Sequence, residues 1–268
     1  MSLERIANYS NIGTVDYRSM SEIQSPLVEK RKLGEIPDTI LICRHPAIID
    51  FGMAKTHNKF SEEFLEEIRS KYGSLDESTI INHLEKLGIS FAQTDRGGGA
   101  AYIDPGHVTF YPIVSLKELT GSAMAVGDYK LMIDRVMHKT LTSYGIPVQI
   151  VEVAKKFGDE NGLRRDRRDV WIHENGTSIK FGGKGIRVSG GIAYHGFQFY
   201  LSRESTIGFR YINACGYPRT QLDSRSVEDY LDREIDPERF IQRTLKYVKR
   251  IFNYTSMEET VSLENAKA

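Results

Sequence analysis

Two cysteines in 268 residues are too few for a disulfide framework or a zinc ligand set, so Cys43 and Cys215 must each be explained singly. No metal site is expected. Net charge is lacking too: 36 basic and 36 acidic side chains cancel, which excludes a global field toward nucleic acid or an anionic membrane. A charged partner must then be recognised by a local patch. No apolar run approaches bilayer length, and the first 25 residues carry Glu4, Arg5, Asp16, Arg18 and Glu22 rather than the apolar core of a secretory signal. A cytoplasmic protein off the membrane is expected. Gly182-Gly183-Lys184-Gly185 lacks the Gly-Lys-Ser/Thr ending of a phosphate loop and misses the dinucleotide-binding spacing. Neither motif is accepted, and no cofactor is expected.

What is present is enough apolar content, 40%, to bury a real core, and the length suits one domain over residues 1–268. Its most unusual stretch runs from Arg96 through Gly97, Gly98, Gly99, Ala100, Ala101, Tyr102, Ile103, Asp104, Pro105 and Gly106 to His107. Glycine lets a ligand approach the backbone, so the segment reads as a wall with one fixed charge.

Around it, Tyr17 to Val28 repeats at helical spacing and should stop before Gly34, and Thr39 to Cys43 reads as a buried strand. Cys43 there is a small core side chain. His45 before Pro46 reads as a loop histidine bonded to nearby backbone. Ser61 caps one helix and a second covers Thr79 to Leu87. Ile89 to Gln93 is a strand entering the glycine stretch, and Val108 to Val114 is a strand interrupted at Pro112. Asp128 is expected to cap a longer helix, and Asp236-Pro237 to start the last one. Val170 to Phe181 and Ile186 to Leu201 read as hairpins, and Ile207 to Ile212 as a final strand. The tail from Glu258 is expected to fray.

Cys215, between that last strand and a Gly-Tyr-Pro turn, is the better nucleophile, since a neighbouring cation there would favour thiolate. Spacing leaves His45, His107, His195, Lys180 and Lys184 all open as its activator. Arg164, Arg165, Arg167 and Arg168 form either a solvated loop or a docking patch for an acidic partner.

Taken together, Arg96-Gly97-Gly98 through Pro105-Gly106, Lys180 with Gly185-Ile186-Arg187-Val188, Tyr194-His195-Gly196 and Asn213-Ala214-Cys215-Gly216 resemble the lipoyl(octanoyl) transferases of the lipoate-protein ligase B type. His45-Pro46 and Gly52 fit the same family's N-terminal loop. The resemblance implies an α/β fold of the biotin and lipoate protein ligase kind, a mostly antiparallel sheet flanked by helices. It implies transfer of an octanoyl group from acyl carrier protein to a lysine of a lipoyl domain, such as the glycine cleavage H protein or a 2-oxoacid dehydrogenase acyltransferase subunit. Cys215 matches the thioester-forming nucleophile and Lys180 its partner. Substrate contacts fall on Arg96 to Ile103, on Gly183, Lys184 and Gly185, and on His195, Gly196, Phe197 and Gln198. The chain departs from the family at Ile103, Asp104 and His107, where the family reads Thr-Tyr-His-Gly-Pro-Gly-Gln over the stretch Ala101 to His107, and at Tyr200 and Ala214. Three alternatives stay open: an amidotransferase between carrier domains, an ATP-dependent lipoate ligase with no need of Cys215, and a non-catalytic lipoyl-domain binder.

Overall fold

The computed structural model describes residues 4–54, 59–152, 168–174, 176–214 and 222–260. Cys215, Arg164, Arg165, Arg167 and the side chain of Arg168 lie outside the described residues.

The first part of the chain runs β1 (Ile6–Thr14), α1 (Tyr17–Leu33), β2 (Asp38–Arg44), β3 (Ile48–Phe51), α2 (Glu62–Tyr72), α3 (Glu77–Lys86), β4 (Ser90–Gln93), β5 (Ala100–Ile103) and β6 (His107–Ser115). Then come α4 (Leu116–Thr120), α5 (Val126–Thr142), β7 (Gln149–Glu152), β8 (Arg168–Glu174), β9 (Thr177–Lys180), β10 (Gly182–Ser189) and β11 (Ile192–Tyr200). A 3₁₀ turn (Ile207–Tyr211), β12 (Leu222–Ser224), α6 (Val227–Leu231), α7 (Pro237–Ile251) and β13 (Ser256–Glu259) complete the order.

Six strands form the main sheet in the order β10-β11-β6-β2-β1-β13, antiparallel as far as β2 and parallel beyond it. A four-stranded sheet, β12-β9-β8-β7, and a three-stranded one, β4-β3-β5, accompany it. The result is the mixed, helix-flanked α/β arrangement expected. β2 shows why the main sheet is central: its side chains alternate between two cores. Ile40 and Ile42 join Phe110, Val136, Met137 and Phe240 under α5 and α7. Leu41 and Cys43 face the other way, against Met20, Leu27 and Val28 of α1.

Several boundaries differ from the sequence expectations for identifiable reasons. β6 is not interrupted at Pro112, which sits opposite Ile40 in an unbroken strand. On its other flank the pairing with β11 lapses between Ala193↔Val114 and Phe197↔Phe110, a stretch in which Pro112 has no N–H to give. There His195 adopts φ 55°, and its amide donates to Gln24 Oε1 at 2.9 Å. Asp128 does not cap α5; the helix begins at Val126, so Asp128 lies in its first turn. Ile207–Tyr211 is a 3₁₀ turn rather than a strand. The carboxy-terminal segment does not fray at Glu258, because Ser256–Glu259 pairs in parallel with β1. Ser61 and Asp236 cap their helices as expected, each side chain accepting from backbone amides.

Candidate active site

The glycine stretch is seated by its own arginine. The Arg96 guanidinium donates to Asp50 Oδ2 at 2.8 Å and to the carbonyls of Gly97 and Gly99 at 3.0 and 2.9 Å. Asp50 is fully buried, and Tyr17 donates to the same carboxylate oxygen at 3.0 Å. The fixed charge expected to face a ligand is therefore turned inward, holding the loop. Its glycines serve close approach: a Cβ at Gly97 would stand 2.3 Å from the Ile186 carbonyl oxygen, and one at Gly185 would stand 2.4 Å from Arg96 Cγ. The Arg96–Gly97 turn is thus pressed onto β10 at Gly185 and Ile186, bringing together two segments far apart in sequence.

Lys180 ends β9, opposite Trp171 of β8, with its Nζ 5.3 Å from the Trp171 ring centre. Residues two apart on a strand share a face, so Asp169 is the diagonal neighbour of Lys180, and its Oδ2 meets the Lys180 Nζ at 2.6 Å. The other oxygen of Asp169 lies 4.0 Å from the Nζ of Lys184, on β10. Lys184 in turn pairs with Asp134, a fully buried acid on the core face of α5. Two ammoniums and two carboxylates thus meet where α5, β8, β9 and β10 converge. Burial pushes both carboxyls upward. At Asp169 the two ammoniums outweigh it and hold the group below its usual value. At Asp134 burial wins over Lys184 and the carboxyl rises to about 6.

Sequence reading named both lysines and neither acid. The signals existed: Asp169 falls two residues before Trp171, and Asp134 interrupts the apolar stripe of α5 beside Ile133, Val136 and Met137.

The remaining expected residues divide. Gly183 pairs with Gln198, whose amide donates to the Tyr102 carbonyl at 3.3 Å, and Gly185 pairs with Gly196. Ala100 and Ala101 pair with Phe51 and Asp50 of β3, while Gly98 takes φ 100°. Tyr102, Ile103 and Phe197 are buried core side chains. His195 lies on the α1 side of the sheet, bonded to Asp95 at 2.9 Å and lining a cavity of about 310 Å³ with Gln24, Tyr194 and Ser21. The structure does not bring it to the Lys180 cluster. Cys43 is buried in β2 beside His45, and burial pushes its thiol far above the ordinary value. His45 is bonded to the Val15 carbonyl at 2.7 Å and to Tyr111, as a loop histidine held by backbone.

On either side of the stretch holding Cys215, the described chain returns to one place. Ala214 packs against the pair formed by Trp171 and Leu222, and Leu222 opens β12 beside β9.

A family model, the lipoyl protein ligase A/B catalytic domain, matches residues 16–249. An octanoyltransferase of Alkaliphilus metalliredigens is 28% identical over 251 residues, covering 94% of this chain and 97% of that protein. One of Solibacter usitatus is 30% identical over 247 residues, covering 91% of each. Among solved structures, the bi-partite lipoate protein ligase described with its E2 lipoyl domain from Thermoplasma acidophilum superposes with a TM-score of 0.63, over 98% of this chain and 91% of that one. At 12% identity that likeness speaks for the fold alone.

Proposed function

The chain belongs to the lipoyl protein ligase A/B catalytic-domain family and is an octanoyl-transferring enzyme of protein lipoylation, and from that premise we propose that the transfer runs through a thioester on Cys215 with Lys180 handling the proton. One observation carries this reading: of the residues flanking the Cys215 stretch, Leu222 clusters with Trp171 and Ala214 packs against that pair, and the Trp171 ring lies beside the Lys180 Nζ. Residues 1–268 act as one catalytic unit in this reading.

The steps balance as follows. A Cys215 thiolate attacks the octanoyl thioester of an acyl carrier protein; the new C–S bond forms as the carrier's C–S bond breaks, and the Lys180 ammonium protonates the departing carrier thiolate. Lys180 is then neutral. An acceptor lysine that has released its ammonium proton to solvent attacks the acyl-enzyme, Lys180 takes one of the two amine protons while the other stays on the amide nitrogen, and Cys215 leaves as thiolate. The amide is made and the ion pair restored. Backbone N–H groups of the Gly97–Gly99 and Gly183–Gly185 segments supply the oxyanion contacts, typically worth about 3 kcal/mol per donor.

The enzyme acts on lipoyl domains of carrier proteins. For this chain we assign the glycine cleavage H protein and 2-oxoacid dehydrogenase acyltransferase subunits as acceptors. Among the described residues no helix is long and apolar enough to cross a membrane, and the cytoplasm is the proposed location.

The test is octanoyl transfer from carrier protein to a lipoyl domain without ATP. Cys215→Ala should lose transfer by several orders of magnitude while Cys43→Ala keeps it. Transfer retained by Cys215→Ala would overturn the thioester route, and loss in both variants would undo the assignment of the two thiols.

A further inference from the structure

The proposed cycle asks Lys180 to be neutral in the second half-reaction, yet Asp169 lies 2.6 Å from its Nζ and favours the charged form. Two carboxylates around one lysine would hold its proton still more firmly. The structure supplies a second cation at that point. Lys184 approaches the far oxygen of Asp169 to 4.0 Å and is anchored by Asp134. When Lys180 is neutral the four-residue cluster carries one net negative charge; without Lys184 it would carry two.

Asp134 has the marks of a group kept for this site rather than for packing. It is fully buried on an apolar helix face, and its Oδ2 has no hydrogen-bond partner among the described residues. A carboxylate so placed is costly unless a cation meets it, and Lys184 does.

We propose that Lys184, anchored by Asp134, is a positioning residue that sets how readily Lys180 gives up and regains its proton, by sharing the carboxylate of Asp169. Among the described residues the charged groups facing Lys180 are Asp169 from β8, Lys184 from β10 and, behind it, Asp134 from α5. From β12, Ser224 pairs with Lys180, while the neighbouring Asp223 and Arg225 offset each other at 3.6 Å. The inference rests on the Cys215–Lys180 reading given above.

The experiment is single-turnover transfer from pre-acylated enzyme to a lipoyl domain, followed against pH. Lys184→Met removes a cation, so the half-maximal pH of transfer should rise by about one unit, while Asp134→Asn removes an anion and should lower it by about as much. The double variant should return near the wild-type midpoint, and Lys184→Arg, which keeps the charge, should stay there. A structural defect alone would not move the midpoint in opposite directions. Should Lys184→Met fail to fold, Asp134→Asn and Lys184→Arg still decide. Shifts of the same sign, or an unmoved midpoint with the acyl-enzyme present, overturn the inference by itself. A wild-type enzyme that never carries an acyl group on Cys215 overturns the reading beneath it instead.

Discussion

His107 shows how far a single side chain can depart from what its position in a sequence suggests. The sequence leaves it open as an activator of Cys215; in the fold it is fully buried, its Nε2 against the Ser205 carbonyl at 2.8 Å and its Nδ1 accepting from the Asp104 amide. Burial pulls it down to about 4, from an unfolded value near 6.5. Between those values the unfolded chain binds a proton that the folded chain refuses, so His107 withdraws stability as pH falls through that window. Thermal melts should show wild type losing more Tm between pH 6.5 and 4.5 than His107→Gln does; parallel curves would refute the assignment. Gly97 makes a second residue-scale case. A methyl group there meets a backbone carbonyl that cannot step aside, so Gly97→Ala should cost about 1–3 kcal/mol and unseat the wall. Among the described residues Gly183→Ala meets only the Tyr200 hydroxyl, at 3.3 Å, and should cost less in urea titrations of the two variants.

At the scale of elements, the apolar strands, both capped helices and both hairpins were legible because each is written in local periodicity or in a cap. β1, β5, β7, β12 and β13 were not, since each depends on a distant partner: β5, read as part of the glycine loop, pairs with β3, and β13 exists because Ser256 to Glu259 found β1, some 250 residues earlier. The 3₁₀ turn at Ile207–Tyr211 escaped for the same reason, its apolar residues being claimed by α2 and Tyr102 rather than by a sheet. Of the site, the glycines and lysines were readable, because backbone approach and cationic chemistry leave residue-type signatures. Asp50, Asp134 and Asp169 were not, because a buried acid is identified by its partner and the partner is set by tertiary packing. That dependence gives a test. Asp50→Asn would leave the Arg96 guanidinium without its counter-charge where β3, β5 and the glycine stretch meet, a change expected to cost about 3–5 kcal/mol. Chemical denaturation giving a loss below about 1 kcal/mol would mean that the loop is held chiefly by other contacts.

For the whole molecule, zero net charge leaves recognition to local features, and four ion pairs are set into the interior: Arg96 to Asp50, Lys180 to Asp169, Lys184 to Asp134, Arg31 to Asp38. The reaction centre in turn stands on one claim, that an acyl group rests on Cys215 between donor and acceptor. The most direct measurement is denaturing mass spectrometry, with peptide mapping, of the enzyme exposed to octanoyl-acyl carrier protein without ATP and then chased with a lipoyl domain. One octanoyl group should appear on Cys215, persist in Lys180→Arg, and in wild type pass to the acceptor lysine on the chase. Turnover with no adduct on Cys215, or with the adduct on Cys43, would contradict the account.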